Sequence, residues 1–460
     1  MKIWSSILVS LAIASGFHGA DASAQTLEEA LAAAYSNNPS LAAARAALRA
    51  TDEQVPQALS GWRPTVTVNG SYGKSAIRSP SSSGTDKGQH RDPRSVDITV
   101  EQPLYQGGRT GAATQRAENT VEAARARLSS TEQSVMLNAV TAFMNVVRDQ
   151  AVLELRVNNE QVLRRQLQAT EDRFQVGEVT RTDVYQAEAR VAGATADRIQ
   201  GEGDLEVSRA QYRNIVGEAP GRLQAPPVPA DVPVDTNAAV NQALASNPDV
   251  VAAGFNERAS AAGVNEVRGE LLPSVTLSGT AEKDYDSVGE HTRLTTYEAR
   301  VSVSVPLYQS GAVYSRLRSA RQTVVENRQN LEAERRAAIE TVTREWETLV
   351  TARAAIEAFR SQVTASEIAL DGVRREAAVG SRTVLDVLDA EQELLDSRVN
   401  LVGAQRNQIV AIYGVKSASG ALTARALDLP VEYYDPEEHY REVRDKWFGG
   451  TSSGDAHSAE

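Results

Sequence analysis

The strongest constraint on this chain is that it states its plan twice. "PLYQGG" at Pro103–Gly108 returns as "PLYQSG" at Pro306–Gly311, 203 residues later. The same shift of 203 lays "VGEVTRTDVYQAEA" (Val176 to Ala189) over "VGSRTVLDVLDAEQ" (Val379 to Gln392), and Phe143 over Trp346. A shift of 209 lays Asn38-Pro39 over Asn247-Pro248, and Pro64-Thr65-Val66 over Pro273-Ser274-Val275. Matches that keep their order mark a duplication, so both halves must adopt one architecture. The repeats run over 25–217 and 236–416. A Pro-rich linker, 218–235, joins them and reads as extended and semi-rigid. Residues 417–460 form a tail, charged and aromatic at first and disordered in composition at its end.

Each repeat carries the same three kinds of pattern. Helices open it: Thr26-x-x-Glu29 is a capping box, and Asn38-Pro39 and Asn247-Pro248 each place an N-cap before a first-turn proline. Strand pairs follow, over 64–79 with 95–106 and over 273–284 with 296–309. They alternate strictly. Val66, Val68 and Tyr72 oppose Thr65, Thr67 and Asn69, while Ile98 and Val100 oppose Asp97, Thr99 and Glu101. In the second repeat Tyr297, Ala299, Val301 and Val303 oppose Glu298, Arg300, Ser302 and Ser304. Polar loops, "RSPSSSGTDKGQHRDPR" and "EKDYDSVGEHTR", join the members of each pair.

Long helical hairpins complete each repeat. No proline occurs between Leu104 and Ala219 or between Leu307 and Leu429, and the first proline-free interval is long enough for a rod on the order of 100 Å. Apolar residues recur by sevens at Val342, Leu349, Ile356, Val363 and Leu370. In the first repeat Val121, Leu128 and Val135 keep the seven. A step of four then leads to Ala139, Val146 and Leu153. Sevens imply a coiled coil, and the four is a stutter that unwinds it locally. The rods turn back near 177 and 380.

The N-terminus predicts export. Lys2, a short apolar run and an A-x-A site at Ala22-Ser23-Ala24 read as a signal peptide over 1–24, cleaved after Ala24. The chain has no Cys, which excludes acylation after cleavage, disulfides and thiolate metal sites. A formal charge of −12 argues against nucleic acid. With only 5% aromatic residues, the chain suits long helices better than a thick globular core. His90, His291, His439 and His457 stand at no metal-ligand spacing, and hydrolase, P-loop and dinucleotide motifs are absent. No metal, cofactor or catalytic site is expected.

Alternating strands in an exported chain raise a closure problem. An open sheet cannot sit in lipid, because its edges carry unpaired backbone groups. Single-chain outer-membrane barrels start at about eight strands, whereas this chain offers four. If the strands span a membrane, copies must share the barrel: two copies make a filled one, three leave a lumen. Charge on the lipid face is costly, so Glu101, Glu298 and Arg300 are expected to face inward. A soluble periplasmic coiled-coil adaptor or scaffold is the alternative.

The signal peptide, the duplication, the two strand pairs ending in "PLYQ-x-G" and the turn "VGSRTVLDVLDAEQELLDSR" together resemble the TolC family of outer-membrane channel proteins. The resemblance covers nearly the whole mature chain. It implies a mainly helical fold: a long antiparallel coiled-coil α-barrel, plus a transmembrane β-barrel to which each chain of an obligate homotrimer gives four strands. It also implies export of drugs or type I secreted proteins through the outer membrane, with a periplasmic adaptor and an inner-membrane ABC or RND transporter as partners.

The candidate residues fall in two places. At the strand-to-helix junctions, Pro103 and Pro306 are expected to end the ladder, and Gly107, Gly108 and Gly311 to allow the bend. Tyr105 and Tyr308 suit the membrane interface. At the far tip, Thr180-x-x-Asp183 and Thr383-x-x-Asp386 read as capping boxes. Asp389 shares a helix face with Asp386 and has Gln186 as its counterpart. The resemblance matches Asp386 and Asp389 to an acidic ring at a closed periplasmic entrance, and Thr182, Asp183 and Arg382 to the contacts that hold it shut. It also carries a departure: the family's Tyr five residues before the Arg is Ala377 here.

Overall fold

The computed structural model describes residues 25–79, 87–289 and 291–450; the signal-peptide residues, including Ala24, and residues 451–460 lie outside that range. Each repeat begins with a short helix and a longer one. In the first these are α1 (Leu27–Asn37) and α2 (Pro39–Asp52), followed by α3 (Gln54–Leu59). In the second they are α6 (Thr236–Ser246) and α7 (Pro248–Gly269). The Asn-Pro pairs explain the joints. Asn38 Oδ1 accepts the N–H groups of Ser40 and Leu41, and Asn247 Oδ1 those of Asp249 and Val250. Each asparagine then donates Nδ2–H to a helix end far away in sequence: Asn38 to Ile215 O at 2.9 Å, Asn247 to Ala418 O at 3.1 Å. One side chain thus caps an arriving helix and satisfies a departing one, which splices two helices end to end.

The long helices are α4 (Arg109–Gln175) and α8 (Ala312–Ala378), each of 67 residues, returning as α5 (Arg181–Val216) and α9 (Val384–Ala418). The seams follow the sevens. Val342, Leu349, Ile356 and Leu370 are buried on α8, as are Val121, Leu128, Val135, Ala139 and Val146 on α4 across the stutter. The main core sits half-way along the rods. There Phe143 and Tyr212 meet Leu31, Leu41 and Leu48 of the first repeat and Leu422 and Leu429 of the tail. The linker lies along this waist: Leu223 joins the same core, and Val232 packs on Leu349 and Ile412. The tail ends in α10 (Glu438–Val443), held to α2 by His439 Nδ1 facing the buried Asp52 at 3.2 Å.

The strands form one antiparallel sheet in the order β1 (Thr65–Tyr72), β4 (Arg94–Gln106), β5 (Ser274–Tyr285), β6 (Arg293–Ser304). A second ribbon, β2 (Ser75–Ser79) with β3 (Lys87–Arg91), keeps the register of β1 and β4 and prolongs their hairpin. Part of the first polar loop is therefore strand. Its pairing partner sets that conformation, and composition gave no sign of it.

The junctions differ from expectation at one proline. β6 ends at Ser304, just before Pro306. β4, however, runs past Pro103 to Gln106, and its register with β5 shifts between Pro103 and Tyr105. Pro103 does not end the ladder, because a bulge accommodates its missing donor. The bend itself comes next, where Gly107 and Gly108 hold φ of +63° and +77° and, in the second copy, Ser310 and Gly311 hold +53° and +76°. A Cβ on Gly107 would lie 2.2 Å from Gly269 O, so the first junction is closed by α7 packed directly on it.

Candidate functional site at the hairpin tips and the sheet

Both far tips are built alike. α4 ends in a Schellman turn: Gly177 N–H bonds Phe174 O and Glu178 N–H bonds Arg173 O. α8 repeats it with Gly380 to Ala377 O and Ser381 to Glu376 O. Each return helix opens with a capping box. Asp183 Oδ2 accepts Thr180 N–H at 2.8 Å and its hydroxyl at 2.7 Å; Asp386 Oδ2 accepts Thr383 N–H at 2.9 Å and its hydroxyl at 2.8 Å. The Thr383 backbone N–H, then its hydroxyl, and then Arg382 hold the Asp386 carboxyl below the usual carboxylate range.

Within the chain Arg382 bonds Glu376 across its own turn, Nε to Oε2 at 2.9 Å, and Glu376 and Asp386 raise its pKa further. Thr182 is exposed at the second position of α5. Asp389 has a partner that sequence reading missed: Arg190 of α5 donates to its Oδ1 at 2.5 Å. The two hairpins also share a small apolar cluster, with Val384 and Leu388 of α9 against Leu163 and Ala187 of the first hairpin. The tip is thus a joined pair of hairpins whose acids are individually bonded. A charged residue on each repeat gives only a weak signal for such pairing, because it needs the spatial neighbour of α9 to be known.

Half-way along, α4, α5, α8 and α9 flank a groove of about 1250 Å³ lined mostly by polar and charged side chains. Arg148 forks onto Asp149 at 2.8 and 3.1 Å, and Arg156 lies 3.8 Å from Asp204. Arg406 is held by two amide oxygens, Asn145 Oδ1 and Asn407 Oδ1, each at 3.0 Å. Burial and then the neighbouring Arg148 lower its pKa. Near the tip, Glu160 is buried in α4 and bonded by Thr195, Arg198 and Arg164; the Thr195 hydroxyl leads in lowering its pKa.

The sheet has one apolar face, and on the central strand β4 it is the more exposed one. On β4, Val96, Ile98 and Val100 are 54%, 46% and 38% exposed, while Asp97 and Thr99 between them are half-buried. The register sets Val100 beside Val66 and Leu277 beside Val301, so one face is apolar across the strands. Glu101, Glu298 and Arg300 lie together on the opposite face, the last two ion-paired. Tyr105 and Tyr308 are exposed at the junctions. Among the described residues the outer edges of β1 and β6 have no strand partner, and no helix is long and apolar enough to cross a membrane.

Known proteins share both the sequence pattern and the fold of this chain. The family model for outer membrane efflux proteins matches residues 30–218 and 239–421, one block per repeat. The chain belongs to the outer membrane efflux protein family. It is 35% identical over 432 residues to the outer membrane efflux protein BepC of Brucella suis, covering 94% of this chain and 93% of that one. It is 26% identical to the outer membrane protein TolC of Escherichia coli over 442 residues, covering 93% and 88%. Its fold matches the outer-membrane channel OprN with a TM-score of 0.76 at 22% identity, over 86% of this chain and 89% of the other. This efflux family member is an outer-membrane export channel protein whose helical part lies in the periplasm. Its relatives are named as channel and efflux proteins, not as enzymes, and the soluble-scaffold alternative is not favoured.

Proposed function

We propose that three copies close into one tunnel that passes small toxic molecules outward, drawing energy from an inner-membrane ABC or RND transporter through a periplasmic adaptor. The observation that carries this reading is the sheet, with one continuous apolar face, charged and hydroxyl side chains on the other, and both outer edges unpaired. Unpaired edges in lipid cost several kcal/mol per backbone group. Pairing β6 of one copy with β1 of the next removes them, and three copies give twelve strands and a lumen. Glu101, Glu298 and Arg300 then line the barrel, Tyr105 and Tyr308 meet the periplasmic-side interface of the outer membrane, and the groove holding Arg148 and Arg406 faces the tunnel. Likeness to a protein named for efflux, over nearly its whole length, favours small molecules over secreted polypeptide as cargo.

At the tip, Asp386 and Asp389 ring the entrance, and Thr182, Asp183 and Arg382 hold neighbouring hairpins together. Thr383 bonds Asp386 and keeps it ionised, whereas Asp389 is offset within its own chain by Arg190. The entrance is therefore less negative than bare carboxylates would make it. Ala377 offers Arg382 and Asp183 no hydroxyl, which leaves a weaker latch. In planar bilayers the trimer is expected to conduct poorly, and Arg382→Ser to raise single-channel conductance. Unchanged conductance removes the latch. Deleting the gene is expected to sensitise cells to toxic compounds while secreted protein persists; the reverse outcome makes polypeptide the cargo.

A further inference from the structure

The two ends of the sheet's apolar face are finished differently. The end near the helices carries Trp62, Tyr105 and Tyr308, all exposed. The arginines around that end are engaged: Arg63 bonds Lys446 O at 2.7 Å, Arg109 bonds Gln106 O at 3.2 Å, and Arg316 pairs with Glu270. The far end is crossed by a single row of paired residues, one per strand: Tyr72, Arg94, Tyr285, Arg293. All four share the face of Val68, Val96, Ala281 and Tyr297, as does Lys283 one row closer to the helices.

Three cations on an apolar face need a reason, because charge facing lipid is costly except near the interface. Here the cations lie over the rings: Arg94 is 5.7 Å from the Tyr72 centroid, and Lys283 and Arg293 are each 5.7 Å from that of Tyr285. Among the described residues none of the three pairs with a carboxylate. Glu282 and Asp284 project from the opposite face of β5 by strand alternation, and the nearby Asp286 accepts the N–H of His291. The row also encloses a recess of about 410 Å³, with Gly70 as its floor and Tyr72, Arg94, Val96 and Tyr285 around it. A Cβ on Gly70 would meet nothing nearer than Ser95 O at 4.0 Å, so the space is open.

We propose that this row is a binding site for a phosphorylated glycolipid of the outer leaflet. The inference rests on the channel reading, which puts the row at the outer membrane surface. Guanidinium groups fork onto phosphate oxygens, and Arg94 and Arg293, two strand spacings apart, present forks about 10 Å from each other. Lys283 adds a point charge. The recess and the valines below it take the sugar edge and the start of an acyl chain. The inner end, whose arginines are already bonded, offers no such site, so the two belts match the two leaflets.

The test compares the wild-type trimer with R94Q/K283Q/R293Q in phosphatidylethanolamine vesicles. The vesicles are doped with bis-phosphorylated lipid A or with the same glycolipid stripped of phosphate. Glycolipid retained through gentle detergent extraction is counted, and conductance is recorded in the same bilayers. The wild type is expected to retain the phosphorylated form about tenfold over the stripped one, and the variant to lose that preference while still conducting. Equal retention by the variant overturns the proposal, as does equal retention of the stripped lipid, or displacement by millimolar inorganic phosphate. If the triple variant does not insert, R293Q alone is expected to lose roughly fivefold, and no loss overturns the site. A wild-type protein that fails to conduct in undoped bilayers overturns the channel reading itself and this site with it.

Discussion

α4 and α8 are copies of one helix with the same length, yet α4 buries side chains along most of it and α8 leaves a flank bare. α4 lies among α2, α5, α7 and α9; α8 has α7 and α9 on one side, with α6 at the waist. The uncovered flank of α8 is not polar. Tyr314, Val325, Ile339, Val350 and Ile368 are all exposed there. They are spaced by 11, 14, 11 and 18 residues, each close to a whole number of helical turns, so they form one stripe. At positions equivalent to Val325 and Ile368, α4 carries Glu122 and Arg165. The other three positions have Gly111, Met136 and Val147 as equivalents, and Met136 and Val147 pack into the main core, so the copies differ in charge at two points of the stripe and in what covers the rest. The duplication therefore supplies the shape, and the uncovered apolar stripe of α8 is the seam where a further copy is expected to dock.

Giving α8 the residues of α4 is the most damaging test of that contrast. Val325→Glu with Ile368→Arg is expected to leave helix content intact by circular dichroism and to convert trimers to monomers on native gels. The mirror change, Arg165→Ile, is expected to leave assembly as it is. Trimers surviving the double change would place the seam elsewhere. A second pair of equivalent positions separates core from edge. Phe143 is fully buried beside Tyr212, whereas Trp346 is only half-buried. Phe143→Ala is expected to cost about 3–5 kcal/mol in denaturant unfolding, and Trp346→Ala distinctly less.

The sequence made the repeats, the seams, the caps and the strand faces legible because each is written in local spacing. Sevens and the stutter reached burial nearly unchanged, since a helix converts spacing directly into a face. Asn38 was legible as a cap but not as a splice, because Ile215 O reaches it only in the folded chain. The same gap hid the bulge after Pro103, which depends on a partner strand from the other repeat. It hid most at the tip. Asp389 stood out for lacking a counterpart, but its companion Arg190 comes from the other hairpin, and no periodicity within α9 points to it.

The tips offer the finest contrast between the repeats, and the smallest expected effects. Arg190→Gln frees Asp389, so cation selectivity in bilayers is expected to rise by a modest factor, while Asp389→Asn lowers it. Acid probes the other carboxylate. Asp386 has a pKa below its ordinary value of 3.8 because Thr383 bonds its charged form. A lowered folded pKa means that the cap's contribution is complete above pH 3.8 and fades as pH falls through the lower folded value. Conductance is therefore expected to stay level from pH 8 to pH 5 on this account, and to rise only below about 4, as the second turn loosens. In Asp386→Asn the acid step disappears, because there is no carboxylate left to protonate. A step persisting in that variant would assign acid opening to another group and leave the second cap with no part in closing the entrance.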